Sequence, residues 1–211
     1  MPGRRAERRR RNAEALIRAA DRLFTEHGYR AVRIEEIAEA AGMTTGAIYS
    51  IFGSKRALLR AVLGSRIDRI ADDTRAARAD EQLSAVEVVA AYARAHCRLV
   101  AADCLRALRL EIEALALWLQ GGWRTEELAA QAERSGLATA LTGRRVGTGA
   151  DRRLTAAEAA TLATAETALF TGLARTCALA RIAPDPDLWA RAAIALATVV
   201  DGALDAAPPD A

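Results

Sequence analysis

Between Met43 and Arg60 the chain reads MTTGAIYSIFGSKRALLR. Thr44, Thr45, Tyr49 and Ser50 set four hydroxyl groups within seven residues. Such groups donate to phosphate oxygens or meet base edges. Gly46 among them lets the backbone itself approach a partner closely. Lys55, the only lysine in a chain that otherwise uses arginine 29 times, stands at the start of the next expected helix, where an N-terminus already favours anions. The plainer reading is that Tyr49 and Phe52 pack a small helical domain and that Lys55 is incidental. Packing accounts for Phe52 but leaves the polar ridge before it unexplained.

A second group of polar side chains falls on otherwise apolar helix faces, where a small molecule could be recognised. Val89, Tyr92, His96 and Val100 share one face of a helix whose other side carries Glu87, Arg94 and Arg98. On the next helix Glu111 and Trp118 flank Leu115, with Arg106, Arg109, Glu113 and Gln120 on the polar side. Glu111 is the first acid to consider for a cationic or hydrogen-bonding effector. Glu166, on the Leu162–Leu169 face, is the alternative, and an acid there could equally serve a subunit interface. His96 also fits the role of a core histidine satisfied by a neighbour. Read as acid and base, His96 and Glu111 would suit a helical enzyme, but no nucleophile motif, phosphate loop or metal-ligand spacing accompanies them. No catalytic residue, metal site or cofactor is therefore assigned.

The elements that must position these groups are helices. Ala, Leu, Glu and Arg dominate the 211 residues, β-branched alternation is sparse and there are only five prolines. Leu16, Ile17, Ala20, Leu23 and Phe24 form an amphipathic stripe that predicts a helix over 8–27, stopped at His27-Gly28. Ile34 to Ala41 predicts a two-turn helix ended by Gly42, Thr44 caps a third helix through Ile51, and Ser54 caps a long one running past Ile70. Two short helices joined across Ala41-Gly42-Met43 make a helix-turn-helix pattern. Further helices are expected near 84–101, 103–120, 124–142, 155–181 and 186–205, with a Gly- and Arg-rich loop over 142–153. Thr155 and Glu158 read as a capping box, and Asp185-Pro186 as a cap followed by a first-turn proline.

Charge is unevenly spread. Residues 1–66 hold 14 basic against 7 acidic side chains, although the whole chain is only +3, so the remainder is net acidic. A basic N-terminal third suits a polyanion. Arg8 to Arg11 could extend that surface as an arm, or form no more than a solvated tail. Three cysteines without metal-type spacing suit a reducing, cytoplasmic compartment, and no apolar run is long enough for a membrane span.

The stretch GYRAVRIEEIAEAAGMTTGAIYSIFGSKRALLRAVL (28–63) resembles the DNA-binding head of the TetR family of transcriptional regulators. It matches that pattern at Gly28, Ile37, Ala38, Ala41, Gly42, Gly46, Ile48, Tyr49, Phe52, Ser54, Lys55 and Leu58. It departs at Arg33, where the family usually caps the second helix with Ser or Thr, and at Ala47, where it usually has Thr. The resemblance implies an all-α protein with a basic arm and helix-turn-helix domain over 1–63 and a helical effector-binding and dimerisation domain over 64–211. It implies DNA contacts from Arg33, Thr44, Thr45, Gly46, Tyr49, Ser50 and Lys55. The implied partners are a double-stranded palindromic operator, a small-molecule effector and a second copy of the chain, with no membrane. Repression relieved by the effector is the expected function, with an effector-independent architectural DNA binder as the alternative. In the same family the last two helices pair subunits. Here Trp189, Ala192, Ala193, Leu196, Val199, Val200 and Ala203 form an apolar stripe, and ALFTGLAR (168–175) resembles the family's dimer helix.

Overall fold

The computed structural model describes residues 2–122, 135–146 and 152–205, without side-chain detail at Pro2 or over 200–205. Ten α-helices follow one another among these residues: α1 (Pro2–His27), α2 (Ile34–Ala40), α3 (Thr45–Phe52), α4 (Lys55–Asp73), α5 (Arg75–Ala79), α6 (Ala85–Ala101), α7 (Cys104–Leu117), α8 (Leu137–Leu141), α9 (Ala156–Ala180) and α10 (Pro186–Asp205). The described residues contain no strand, only an isolated antiparallel bridge between Arg145 and Arg153 inside the expected loop.

The helix ends follow local chemistry. At the end of α2, Met43 N–H donates to Ala38 O at 2.8 Å and Gly42 N–H to Glu39 O at 2.9 Å, a Schellman arrangement that needs the positive φ of Gly42 (+66°). Ser54 Oγ accepts from Ala57 N–H at 3.1 Å to open α4. Thr155 and Glu158 bond reciprocally at the start of α9, and Asp185 Oδ1 accepts from Asp187 and Leu188 N–H at the start of α10.

Two expected helix bounds are revised, and the long fourth helix runs past Ile70 as expected. The first helix begins at Pro2 rather than residue 8, so Arg4 and Arg5 are helical as well, and Arg10 bridges Glu7 and Glu14 on one helix face at 2.8 and 2.9 Å. The long fourth helix stops at Asp73, because the buried Thr74 turns its hydroxyl back onto Ile70 O at 2.8 Å and leaves helical geometry (φ −98°, ψ 2°). The seventh helix closes at Leu117 in a widened turn over Trp118–Gly122, with Gly121 at φ +72°. Of the helix expected over 124–142, the described residues include only α8.

Two compact units result, and they interleave along the chain. One comprises residues 1–67 and 106–128, the other 68–105 and 129–211. Most of α7 falls in the first of these units. The head core gathers Leu16, Ala20 and Phe24 of α1, Ile37 and Ala38 of α2, Ile48 of α3, Leu58, Leu59 and Val62 of α4, and Leu110 and Ala114 of α7.

In the second unit α6 is the central helix, burying Val88, Val89, Tyr92, Ala93 and Cys97. Among the described elements, α6 and α10 make the most extensive helix pair, through Trp189, Ala190, Ala193 and Ala197 on α10. Small residues there let the axes approach closely. The stripe expected on α10 is thus divided. Trp189 and Ala193 belong to this unit's own core, while Leu188 and Val199 on the opposite side are exposed. The side chains of Val200 and Ala203 lie outside the described residues.

Arg144, in the expected loop, is 7% exposed and spends its guanidinium on backbone carbonyls of Ala77, Arg78, Asp80, Leu83 and Ala140. A planar fork with five donors suits that task.

Candidate nucleic-acid interface and effector pocket

The turn between α2 and α3 turns Thr44, Gly46, Tyr49 and Ser50 outward, while Ile48 is fully buried in the head core. Thr45 and Ala47 are half-buried between them. Thr44 occupies the N-cap of α3 in extended geometry with no side-chain capping bond, which leaves its hydroxyl available to an outside partner. Tyr49 is 54% exposed, an unusual setting for an aromatic unless something covers it. Arg9 on α1 reaches Ser50 O at 3.4 Å, so the basic first turns of α1 lie beside this ridge. No residue of the ridge carries a carboxylate.

Arg33 stands at the N-cap of α2. Glu36 accepts from Arg33 N–H at 2.7 Å, one half of a capping box, but a guanidinium has no lone pair to return the bond. Its exposed side chain lies 3.7 Å from Glu35.

Lys55, at the first position of α4, is half-buried with its ammonium 4.5 Å from the Tyr29 ring centroid and 5.9 Å from that of Phe24. The two rings meet edge-on at 5.3 Å. Burial lowers the lysine pKa, while the carboxylates of Glu113 and Glu36 act against that. A cation held on aromatic faces at a helix start is oriented before any phosphate arrives.

Glu113, which the sequence assigned only to a polar helix face, proves to organise this corner. From α7 its carboxylate accepts the Tyr29 and Arg30 N–H groups, and its Oε1 lies 3.4 Å from Arg109. The contact joins residues 84 apart, and no local pattern announces it. Gly28, at φ +88°, sits so near that a Cβ would lie 2.5 Å from Arg109 Nη2 and 2.8 Å from Glu113 Oε1.

The five candidate effector residues divide between the units. Glu111 and Trp118, both half-buried, belong with the head; Tyr92, His96 and Glu166 belong to the second unit. Tyr92 is fully buried and its hydroxyl donates to Ser135 O at 2.9 Å, so it is a satisfied core group. His96 on α6 stacks on Phe170 of α9 with ring centroids 4.8 Å apart. Burial lowers its pKa to about 4, which keeps the ring neutral. Glu166, one turn before Phe170, is fully buried and neither carboxyl oxygen has a hydrogen-bond partner. Burial raises its pKa to about 8. Each shift comes from desolvation alone, so the two groups do not form an ion pair. No group of three or more His, Cys, Asp or Glu arranged to hold a metal occurs among the described residues, and none of their helices is long and apolar enough to cross a membrane.

Comparison with known proteins bears on the head first. Residues 16–62 match the model for bacterial regulatory proteins of the tetR family. The head is thus a tetR-type DNA-binding domain. Over 79 residues it is 36% identical to the HTH-type transcriptional repressor ComR of Escherichia coli (strain K12), a match covering 37% of this chain and 38% of that one. Over 75 residues it is 37% identical to the HTH-type transcriptional activator FasR of Mycolicibacterium smegmatis, covering 36% of this chain and 34% of the other. These matches therefore span little more than a third of each relative.

Likeness of fold extends much farther than likeness of sequence. A transcriptional regulator from Pseudomonas aeruginosa PAO1 superposes with a TM-score of 0.62 at 22% identity, over 92% of this chain and 90% of that one. The regulator FadR of Bacillus subtilis, solved with stearoyl-CoA, gives 0.58 at 20% identity over 87% and 96%. The TetR-type fold thus covers both units.

Proposed function

We propose that this chain is a TetR-family transcriptional regulator that binds a palindromic operator as a homodimer and is released by a small-molecule effector. The observation that carries this reading is the acid-free ridge of Thr44, Thr45, Gly46, Tyr49 and Ser50, presented by α3 behind a glycine-closed turn. A second helix so exposed can enter a major groove, with its first turn against base edges and flanking groups on phosphates. Thr45 and Ser50 read bases; Arg33, Thr44, Tyr49 and Lys55 hold phosphates, and Gly46 allows the close approach. The head over 1–63 supplies these contacts, and the remainder over 64–211 supplies effector binding and dimerisation.

The dimer reading is supported by α10, which is apolar on two faces. One is covered by α6, and the other exposes Leu188 and Val199 beside Ala192 and Ala195. The effector reading is supported by the uncompensated Glu166 and by B. subtilis FadR, whose structure holds stearoyl-CoA. A repressor and an activator among the relatives leave repression as the reading to be tested, not an inheritance.

Titration of a labelled duplex against salt tests the DNA role. Lys55→Ala and Tyr49→Phe should weaken operator and random duplex by similar factors, and Lys55→Ala should lower the slope of log affinity against log salt by about one. Thr45→Ala and Ser50→Ala should instead alter base preference, by about 1–3 kcal/mol per lost contact. A chain that binds no duplex at low salt would remove the reading altogether.

A further inference from the structure

Glu166 stands out in the second unit. Its surroundings in that core are apolar. On its own helix face it stands between the buried Leu162 one turn before and Phe170 one turn after. His96, stacked on the Phe170 ring one turn away, is neutral at neutral pH, and the Glu166 carboxyl is shifted by burial with no compensating cation. A carboxyl placed there with both oxygens unbonded loses its hydration and receives nothing in return. Folded proteins rarely leave such a group without a purpose. One turn along α9 the Phe170 ring carries His96 against it, so aromatic faces lie next to the orphaned acid.

We infer that the effector of this chain is an organic cation, an ammonium or amidinium whose charge meets the Glu166 carboxylate and whose apolar body lies along Phe170 and His96. The inference rests on the effector reading above and narrows it to one chemical class. A neutral ligand can offer the acid form no more than a hydrogen bond and an anion opposes its ionisation, whereas a cation draws the proton off and gives the resulting carboxylate its counter-charge in a low-dielectric setting. An aromatic wall adds attraction for an alkylated ammonium.

Binding has a proton balance. The free protein holds Glu166 as the acid at neutral pH, since burial sets its pKa at about 8. The bound state holds the carboxylate against the cation, and the proton leaves to solvent. For a ligand with permanent charge, affinity therefore rises with pH until about pH 8 and then levels. His96, at about 4, and Cys97, at about 11, titrate outside that window. Burial likewise lifts Tyr92 above the ordinary tyrosine range.

The test is calorimetric titration of the full chain with benzyltrimethylammonium and with its neutral isostere neopentylbenzene. The cation should bind roughly a hundredfold more tightly at pH 8.5 than at pH 6, releasing close to one proton at pH 7 as read in buffers of different ionisation enthalpy. The isostere should show no pH dependence. Glu166→Gln should abolish both the pH dependence and the proton release and weaken the cation at pH 8.5 at least tenfold. Phe170→Leu, which keeps the acid, should weaken the cation while retaining its pH profile. Equal affinity for cation and isostere, or a cation affinity that ignores pH and Glu166, overturns the proposal. Titration of the same preparations with labelled duplex separates the two failures. Duplex binding that persists while cations fail to bind leaves the regulator standing and removes only the cationic class; duplex binding that is absent removes the regulator.

Discussion

Glu166 and His96 place opposite demands on one core. The acid is protonated in the folded chain up to about pH 8 but ionised in the unfolded chain above its ordinary 4.5; the histidine is neutral when folded down to about 4 but protonated when unfolded below its ordinary 6.5. A raised carboxyl pKa removes stability as pH rises, and a depressed histidine pKa removes it as pH falls. Between about pH 4.5 and 6.5 each state binds one proton at this pair, so the contributions cancel in slope. Above 6.5 only Glu166 acts, and stability should fall by up to ~1.4 kcal/mol per pH unit until about pH 8. Urea unfolding across pH checks this. Glu166→Gln should remove the alkaline decline and uncover a loss on acidification from 6.5 toward 4. Parallel pH profiles for the two proteins would show that the carboxyl is not buried as described.

At the scale of elements, Gly28 in the corner between α1 and α2 and Gly42 in the turn between α2 and α3 share a positive φ but differ in what surrounds them. Gly42 has nothing within 4 Å of where a Cβ would stand, so Gly42→Ala should cost only the backbone strain, about 1 kcal/mol. Gly28→Ala adds a clash with Arg109 and Glu113 and should cost more. Arg109→Ala should recover part of that excess, because the obstructing guanidinium is the end of a flexible chain. Thermal unfolding of the four variants gives the cycle, and a purely additive result would deny the contact. The same corner separates what the sequence discloses from what it hides. Gly28, Gly42, Ser54, Thr155 with Glu158, and Asp185 with Pro186 act within four residues, so their helix ends are legible from spacing alone. Glu113 on the Tyr29 and Arg30 amides, and Arg144 on its carbonyls, act between segments far apart in sequence. Nothing in their immediate neighbours distinguishes them from other surface charges. Likewise the ridge of α3 is legible because it is local, whereas the assignment of Tyr92 to a satisfied core and of Glu166 to an orphaned one required partners from other helices.

For the whole molecule, the two faces of α10 give opposite expectations for charge placed on them. Ala193→Arg puts a cation into the unit's own core beside α6 and should unfold it, whereas Val199→Glu or Leu188→Glu should leave a folded monomer. Sedimentation and circular dichroism distinguish the outcomes; a folded dimer with Val199→Glu and Leu188→Glu combined would locate the subunit contact elsewhere. The monomer should keep half-site affinity and lose most of its full-site affinity, since the second head no longer benefits from a high effective concentration. Underlying all of this is the claim that α3 reads DNA twice, in a symmetric pair. Selection of bound duplexes from a random pool by the full chain tests it most directly. The account predicts an enriched inverted repeat whose half-site centres lie about one helical turn or a multiple of it apart, with Thr45→Ala or Ser50→Ala changing bases inside each half. A pool that enriches no sequence, or a single site without symmetry, would contradict it.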